Sequence, residues 1–186
     1  MAISIPLIND KNGNPTDIIS HLLTNRIIYL SGEINDISSE LAITQLLYLD
    51  SVSDKPITMY INSPGGYCVQ GLGIIDVMHL VKSDVNTVCV GECASMGAVI
   101  LSQGSKRYAL PHSEILIHQP LGGTGYCQAS DIAIHADNIL KMKHTLTDML
   151  ANACKQPYEK LEKMMDRDCI LNANEALELG LIDKIL

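Results

Sequence analysis

The sequence predicts one layered α/β domain built from repeated strand and helix units, one of its helices unusually long for the domain. Three observations predict this. Short apolar strand patterns alternate with segments of helical spacing, Gly-rich turns join them, and 186 residues at 47% apolar composition suffice for one substantial core but are short for two.

After a polar N-terminal stretch, RIIYLSGEI at 26–34 reads as a strand, and residues 36 to about 50 carry Leu41, Leu46 and Leu47 at helical spacing. The unit recurs. ITMYI at 57–61 is an apolar strand, NSPGG at 62–66 a turn, and the next fifteen residues place Leu72, Ile75 and Val81 at helical intervals. A third strand, NTVCVG at 86–91, leads into a helix starting near Ser95. Strands followed by crossover helices imply parallel pairing, with a site expected at the strand ends and the loops after them.

Two further short strands, KRYAL and EILIH, precede the Gly-rich loop LGGTG at 121–125, after which Ser130 can cap a long helix running to about Cys154. Its Ile132, Ile139, Leu146 and Met149 form a narrow apolar stripe among Asp131, Lys141, Lys143 and Asp148, suited equally to core packing or to contact with another subunit. Near the end, Asn172 with Glu175 forms a capping-box-like helix start, and Gly180 supplies a stop.

A formal charge of −8, from 13 basic and 21 acidic residues with no Lys/Arg run, opposes binding to nucleic acid. The N-terminus lacks a basic n-region, and Pro6 and Asn9 interrupt its apolar run. No later segment reaches the roughly 20 apolar residues of a membrane span. The expected address is therefore cytoplasmic. Six cysteines without C-x-x-C spacing are expected to be mostly reduced, half-buried residues. With no Phe or Trp, the interior must be filled by Leu, Ile, Val and Met.

In GECASMGA, Ser95 falls at a strand-to-helix turn, where its hydroxyl can project from the sheet edge. Gly97 fits the nucleophile elbow, but Cys93 stands where that motif has its first Gly, so a plain helix cap competes with a nucleophile. The second turn, INSPGG, joins a strand to a helix in the same way. If the two units are neighbours, the amides of Gly66 and Met96 could converge on one developing oxyanion. His118, ending EILIH, is placed like a strand-end catalytic imidazole. His21, His79, His135 and His144 read as helical, His112 as a turn residue, and no pair has metal-ligand spacing. Spacing does not choose an acid among Asp131, Asp137, Asp166, Asp168 and Asp183.

SPGG, ECASMGAV, IHQPLGG and the DRD of MMDRDCILNANEALELGLID, in that order, resemble the proteolytic subunit of the Clp protease over nearly the whole chain from about Ile19. The resemblance implies a layered fold of β-β-α units shared with crotonases, and a serine endopeptidase. Its nucleophile falls on Ser95, its base on His118, its acid on Asp168, and its oxyanion donors on Gly66 and Met96. The order Ser, His, Asp differs from that of α/β-hydrolases, although the proton transfers would be equivalent.

The same resemblance implies heptameric rings stacked face to face as a tetradecamer, an N-terminal axial segment over about residues 1–18, and a ring-interlocking handle over about residues 121–154. It places Asp166 and Arg167 where ring contact is coupled to triad alignment. Unfolded proteins would be the substrates. No metal or cofactor is expected in this chain. Lacking a G-x-x-x-x-G-K-[ST] loop, the chain would leave ATP to a partner, an AAA+ unfoldase of the ClpX or ClpA/ClpC type. The docking groove has Leu80 where the family commonly has Phe, and Cys93 and Cys169 flank catalytic positions. Two other readings compete: a non-catalytic or weakly active ring subunit beside an active paralogue, and a crotonase-type acyl-CoA enzyme.

Overall fold

The computed structural model describes residues 6–9 and 13–186; the axial segment expected over about residues 1–18 lies partly outside the described residues. Strands β1 (Leu7–Asn9) and β2 (Pro15–Asp17) form an antiparallel pair. Asp17 then caps α1 (Ile18–Thr24) by accepting from the Ser20 amide at 2.8 Å.

The units read from the sequence follow in order: β3 (Ile27–Ser31), α2 (Asp36–Val52), β4 (Ile57–Ser63), α3 (Cys68–Leu80), β5 (Val85–Ala94) and α4 (Met96–Ser102). Then come β6 (Arg107–Ala109), β7 (Glu114–Ile117), α5 (Ala129–Cys154), α6 (Tyr158–Met164), β8 (Cys169–Asn172), α7 (Ala173–Leu179) and β9 (Lys184–Ile185).

Strands β3, β4, β5, β6 and β9 pair in that order, all parallel. Strand β5 is long enough to serve two partners. Thr87–Cys89 pairs with β6, whereas Glu92–Ala94 pairs with β7. Gly91 lies between these stretches at φ +76, and the β4–β5 register shifts beside it, between Ile61 and Ser63. A backbone without Cβ makes that kink accessible. Strand β8 adds to β7 antiparallel, the one antiparallel pairing in the large sheet among the described residues.

Along β4, Ile57, Met59, Ile61 and Ser63 point inward and alternate with half-buried residues, so the strand carries the period-2 signal of the pleat. Helix α2 packs on α3, α3 on α4, and α4 against β5 and α5. Ile28, Leu46, Ile61, Ile74, Ile100 and Leu150 occupy the core, so aliphatic side chains do the filling that Phe and Trp would otherwise share.

Two expectations are corrected. Ser130 does not cap α5: the chain is already helical at Ala129, and Gln128 holds the cap position without a side-chain bond. Helix α3 stops at Leu80, because Val81 turns to extended backbone. The stripe on α5 divides between two environments: Leu146 is buried and Met149 packs on the core, while Ile132 is half exposed and every residue from 132 to 138 is exposed. Among the described residues, no helix is long and apolar enough to cross a membrane. None of the six cysteines is disulfide-bonded.

Candidate active site

The turn between β5 and α4 is made by Ser95 alone, at φ 53 and ψ −121. An L-residue rarely adopts such a conformation, so its neighbours must hold it. They do so from both sides. The Ser95 amide donates to the Leu116 carbonyl at 2.8 Å, and the Ser95 carbonyl accepts from Ala98 and Val99. The hydroxyl caps nothing; Oγ instead lies 2.8 Å from His118 Nε2.

Two ladders converge on His118. The parallel β5–β7 pairing, with Ala94 opposite Leu116, brings the residue after β5 to the end of β7. The antiparallel β7–β8 pairing, with Ile117 opposite Cys169, brings the residue before β8 to the same end. His118 Nδ1 accordingly lies 3.1 Å from Asp168 Oδ1. The His118 side chain is 15% exposed and that of Asp168 68%, so the imidazole is sheltered while the carboxylate faces solvent.

The SPGG turn is fastened to the same place. Buried Ser63 donates through Oγ to the Gly32 carbonyl at 2.6 Å and accepts from the Gly65 amide at 3.1 Å. The Ile34 amide donates to the Gly65 carbonyl, and the Tyr67 amide to the Ile34 carbonyl, both at 2.8 Å. A Cβ on Gly65 would stand 2.7 Å from Ser95 Cβ and 3.0 Å from the Met96 nitrogen, so the two turns are in contact. Among the described residues, neither the Gly66 nor the Met96 amide is taken up by a hydrogen bond.

Gly66, Ser95, Met96 and His118 line one cleft of about 250 Å³, walled further by Pro64, Cys68, Val99, Pro120, Leu121 and Leu146. A serine hydroxyl, an imidazole and two unengaged amides thus share one open pocket, and the Asp168 carboxylate meets the imidazole from a neighbouring one. This is the equipment of acyl transfer.

The carboxylates that spacing left open now separate. Asp137 pairs with Lys141 on α5, Asp183 pairs with Arg107, and Asp131 sits in the first turn of α5. Asp168 is the one bonded to His118. Asp166 and Arg167 are exposed beside it: Arg167 Nη1 is 3.9 Å from the Asp166 carboxylate and donates to the Asp166 carbonyl at 2.9 Å. The remaining histidines lie as read, four in helices and His112 in a turn.

Cys93 is turned away from the cleft, fully buried, and its thiol contacts the Ile61 carbonyl. Burial pushes that thiol well above the ordinary cysteine range, with Cys89 adding to the shift. Such a thiol stays protonated and is no nucleophile. Cys68, on the cleft wall, and Cys169, beside Asp168, are also pushed up by burial.

Two residues escaped the sequence reading. Ser63 anchors the SPGG turn from within, and Gln119 ties the residue after His118 to the loop before Asp168. The place of Ser63 within SPGG and of Gln119 next to His118 was the available signal.

A profile of the Clp protease family matches residues 10–186. The chain is 53% identical over 173 residues, 91% of its length, to the "ATP-dependent Clp protease proteolytic subunit 2" of Prochlorococcus marinus (strain NATL2A). It shows the same identity over the same span to the "ATP-dependent Clp protease proteolytic subunit 3" of Synechococcus sp. (strain CC9902); in both cases 86% of the relative is covered.

Proposed function

The chain belongs to the Clp protease family, a family of serine peptidases, and on that premise we propose that it cleaves peptide bonds with Ser95 as nucleophile, His118 as general base and Asp168 as the acid that orients the imidazole. One observation carries the reading: His118 bridges Ser95 Oγ at 2.8 Å and Asp168 Oδ1 at 3.1 Å through its two ring nitrogens.

The roles follow from that bridge. With Nδ1–H donating to Asp168, Nε2 is left as the acceptor for the Ser95 hydroxyl proton. Ser95 Oγ attacks the substrate carbonyl as His118 takes the proton, and His118 returns it to the departing amine. Water, activated by the same imidazole, then releases the acyl group from Ser95. The amides of Gly66 and Met96 are the donors for the oxyanion, each worth about 3 kcal/mol of transition-state stabilisation. No step requires a metal or a cofactor bound to this chain.

We propose heptameric rings stacked in pairs as a tetradecamer, with the loop after Leu121 and the first half of α5 forming the contact between rings. Ile132, Ile134 and Leu140 on that half are 50%, 58% and 63% exposed, an apolar surface that a second copy would cover. Asp166 and Arg167, exposed next to Asp168, would carry ring contact to the site. A cytoplasmic AAA+ unfoldase would use ATP to deliver unfolded polypeptide into the chamber.

A fluorophosphonate probe tests the chemistry. Purified protein, sized to follow ring formation, should incorporate the probe at Ser95 and cleave a short fluorogenic peptide. The Ser95→Ala protein should do neither. Labelling that survives Ser95→Ala, or an assembled particle without labelling or cleavage, would overturn the reading in favour of a different nucleophile or a non-catalytic ring subunit. Coenzyme A binding without labelling would mark the crotonase alternative.

A further inference from the structure

We propose that Gln119 is a positioning residue, whose side-chain amide holds the loop bearing Asp168 so that the carboxylate meets His118; the inference rests on the reading of Ser95, His118 and Asp168 given above. Residues 166–168 are all exposed, so burial does not place the carboxylate. The ladder sets Asp168 opposite His118 but does not continue to hold the loop before it. Continued from Ile117 opposite Cys169, the β7–β8 register would set Gln119 opposite Arg167, yet the Gln119 amide donates at 2.8 Å to the carbonyl of Met165. The loop therefore bulges just before Asp168.

Gln119 closes that bulge with two bonds to consecutive carbonyls, from its backbone N–H to Met165 and from Nε2 to Asp166 at 2.9 Å. Its own backbone is stiff, because Pro120 follows and restricts the residue before it to extended conformations. Met165, the far anchor, is buried in the core. The second donor to the Asp166 carbonyl, Arg167 Nη1, belongs to a side chain that is 86% exposed, where solvent screening and side-chain entropy weaken the tether. Rigid β7 thus reaches the acid through Gln119 as well as through His118.

The experiment is a cycle between Gln119→Ala and Asp168→Ala in the assembled particle, read by steady-state cleavage of a short fluorogenic peptide. Gln119→Ala keeps the backbone bond to Met165 and removes the side-chain one. It should lower kcat about tenfold to a hundredfold, the scale of loss that a misplaced catalytic group causes, with KM and particle size unchanged. The loss should vanish in the Asp168→Ala background, since Gln119 acts through that carboxylate. Gln119→Glu, of equal length but lacking the donor, should behave as Gln119→Ala does and decides the matter if the alanine protein assembles poorly. Parental kcat in Gln119→Glu, a rise in KM alone, or an undiminished loss in the Asp168→Ala background overturns the proposal. Parental activity of Asp168→Ala itself overturns the three-residue reading instead.

Discussion

His118 and Asp168 face one another one step beyond a regular antiparallel ladder, which ends at Ile117 opposite Cys169 and delivers their side chains to within 3.1 Å. The imidazole and the carboxylate, fifty positions apart in the chain, are brought together by strand register, and the serine arrives through the parallel pairing on the other edge of β7. Asp168→Asn keeps that shape and removes the charge. It should lower kcat by about 10²- to 10⁴-fold with little change in KM, because the asparagine favours the wrong imidazole tautomer. At 68% exposure the side chain is not core, so the thermal midpoint should hold. Peptidase kinetics beside a melting curve checks both.

The SPGG turn should tolerate no side chain. A Cβ on Gly66 would stand 2.2 Å from the Ile34 carbonyl oxygen, and one on Gly65 2.7 Å from the Ala94 carbonyl, both at positive φ. Gly65→Ala is expected to displace the Ser95 turn and cost about 1–3 kcal/mol of stability through strain. Fluorophosphonate labelling of Ser95 should slow further than the melting point suggests. Unchanged labelling would mean that the two turns move independently.

Much of this was legible in the sequence. Strands β3, β4 and β5 carry apolar runs, and α2 and α3 carry helical spacing, so these five elements were readable from periodicity alone. Ser95 and Gly66 were readable as turn residues, and His118 as a strand end. Asp168 was not, because its place depends on the pairing of β7 with a four-residue strand, β8, and local pattern says nothing about which distant strand will be a neighbour. The motif order supplied what spacing could not. Ser130 failed as a cap because a serine near a helix start signals the region and not the position, and the structure places it inside the first turn.

Arg26 should be a stability residue with no part in the chemistry. Its guanidinium donates to the carbonyls of Leu49, Ser53, Lys55 and Pro56 and to Ser83 Oγ, joining the end of α2 to the starts of β3 and β4. Arg26→Ala leaves those acceptors short of a charged donor and should destabilise the chain by about 2–3 kcal/mol. Arg26→Lys, with a single point donor, should recover little of that. Urea unfolding of the two variants measures the loss, and normal kcat in the assembled fraction would confirm the separation of roles.

Thiol alkylation of the native protein should spare Cys89, Cys93 and Cys154. All three are buried, and burial pushes the Cys154 thiol up to about 11 and Cys93 well above its ordinary range. Both barriers vanish on unfolding, so peptide mapping after iodoacetamide should find these sites modified only in denaturant. Rapid native modification of Cys93 together with loss of activity would reopen it as a nucleophile.

The Arg107–Asp183 pair predicts a pH dependence whose sign is fixed. Arg107 donates to the carbonyls of Ala153 and Gly180 at 2.8 and 2.9 Å and is held by Asp183, so the pair links the ends of α5 and α7 to β6. The side-chain bond from Arg107 outweighs partial desolvation and lowers the Asp183 carboxyl below its ordinary 3.8. A carboxylate with a depressed folded pKa contributes stability that is present above the unfolded value and lost as pH falls through the folded one. Asp183→Asn should therefore be less stable than the parent near neutrality, and the gap should close below about pH 4. With the Asp183 side chain 43% exposed, solvent screening keeps the difference to about 1 kcal/mol or less. Paired urea titrations at neutral and acidic pH measure it; a gap that widens on acidification would mean the carboxyl is not held in its charged form.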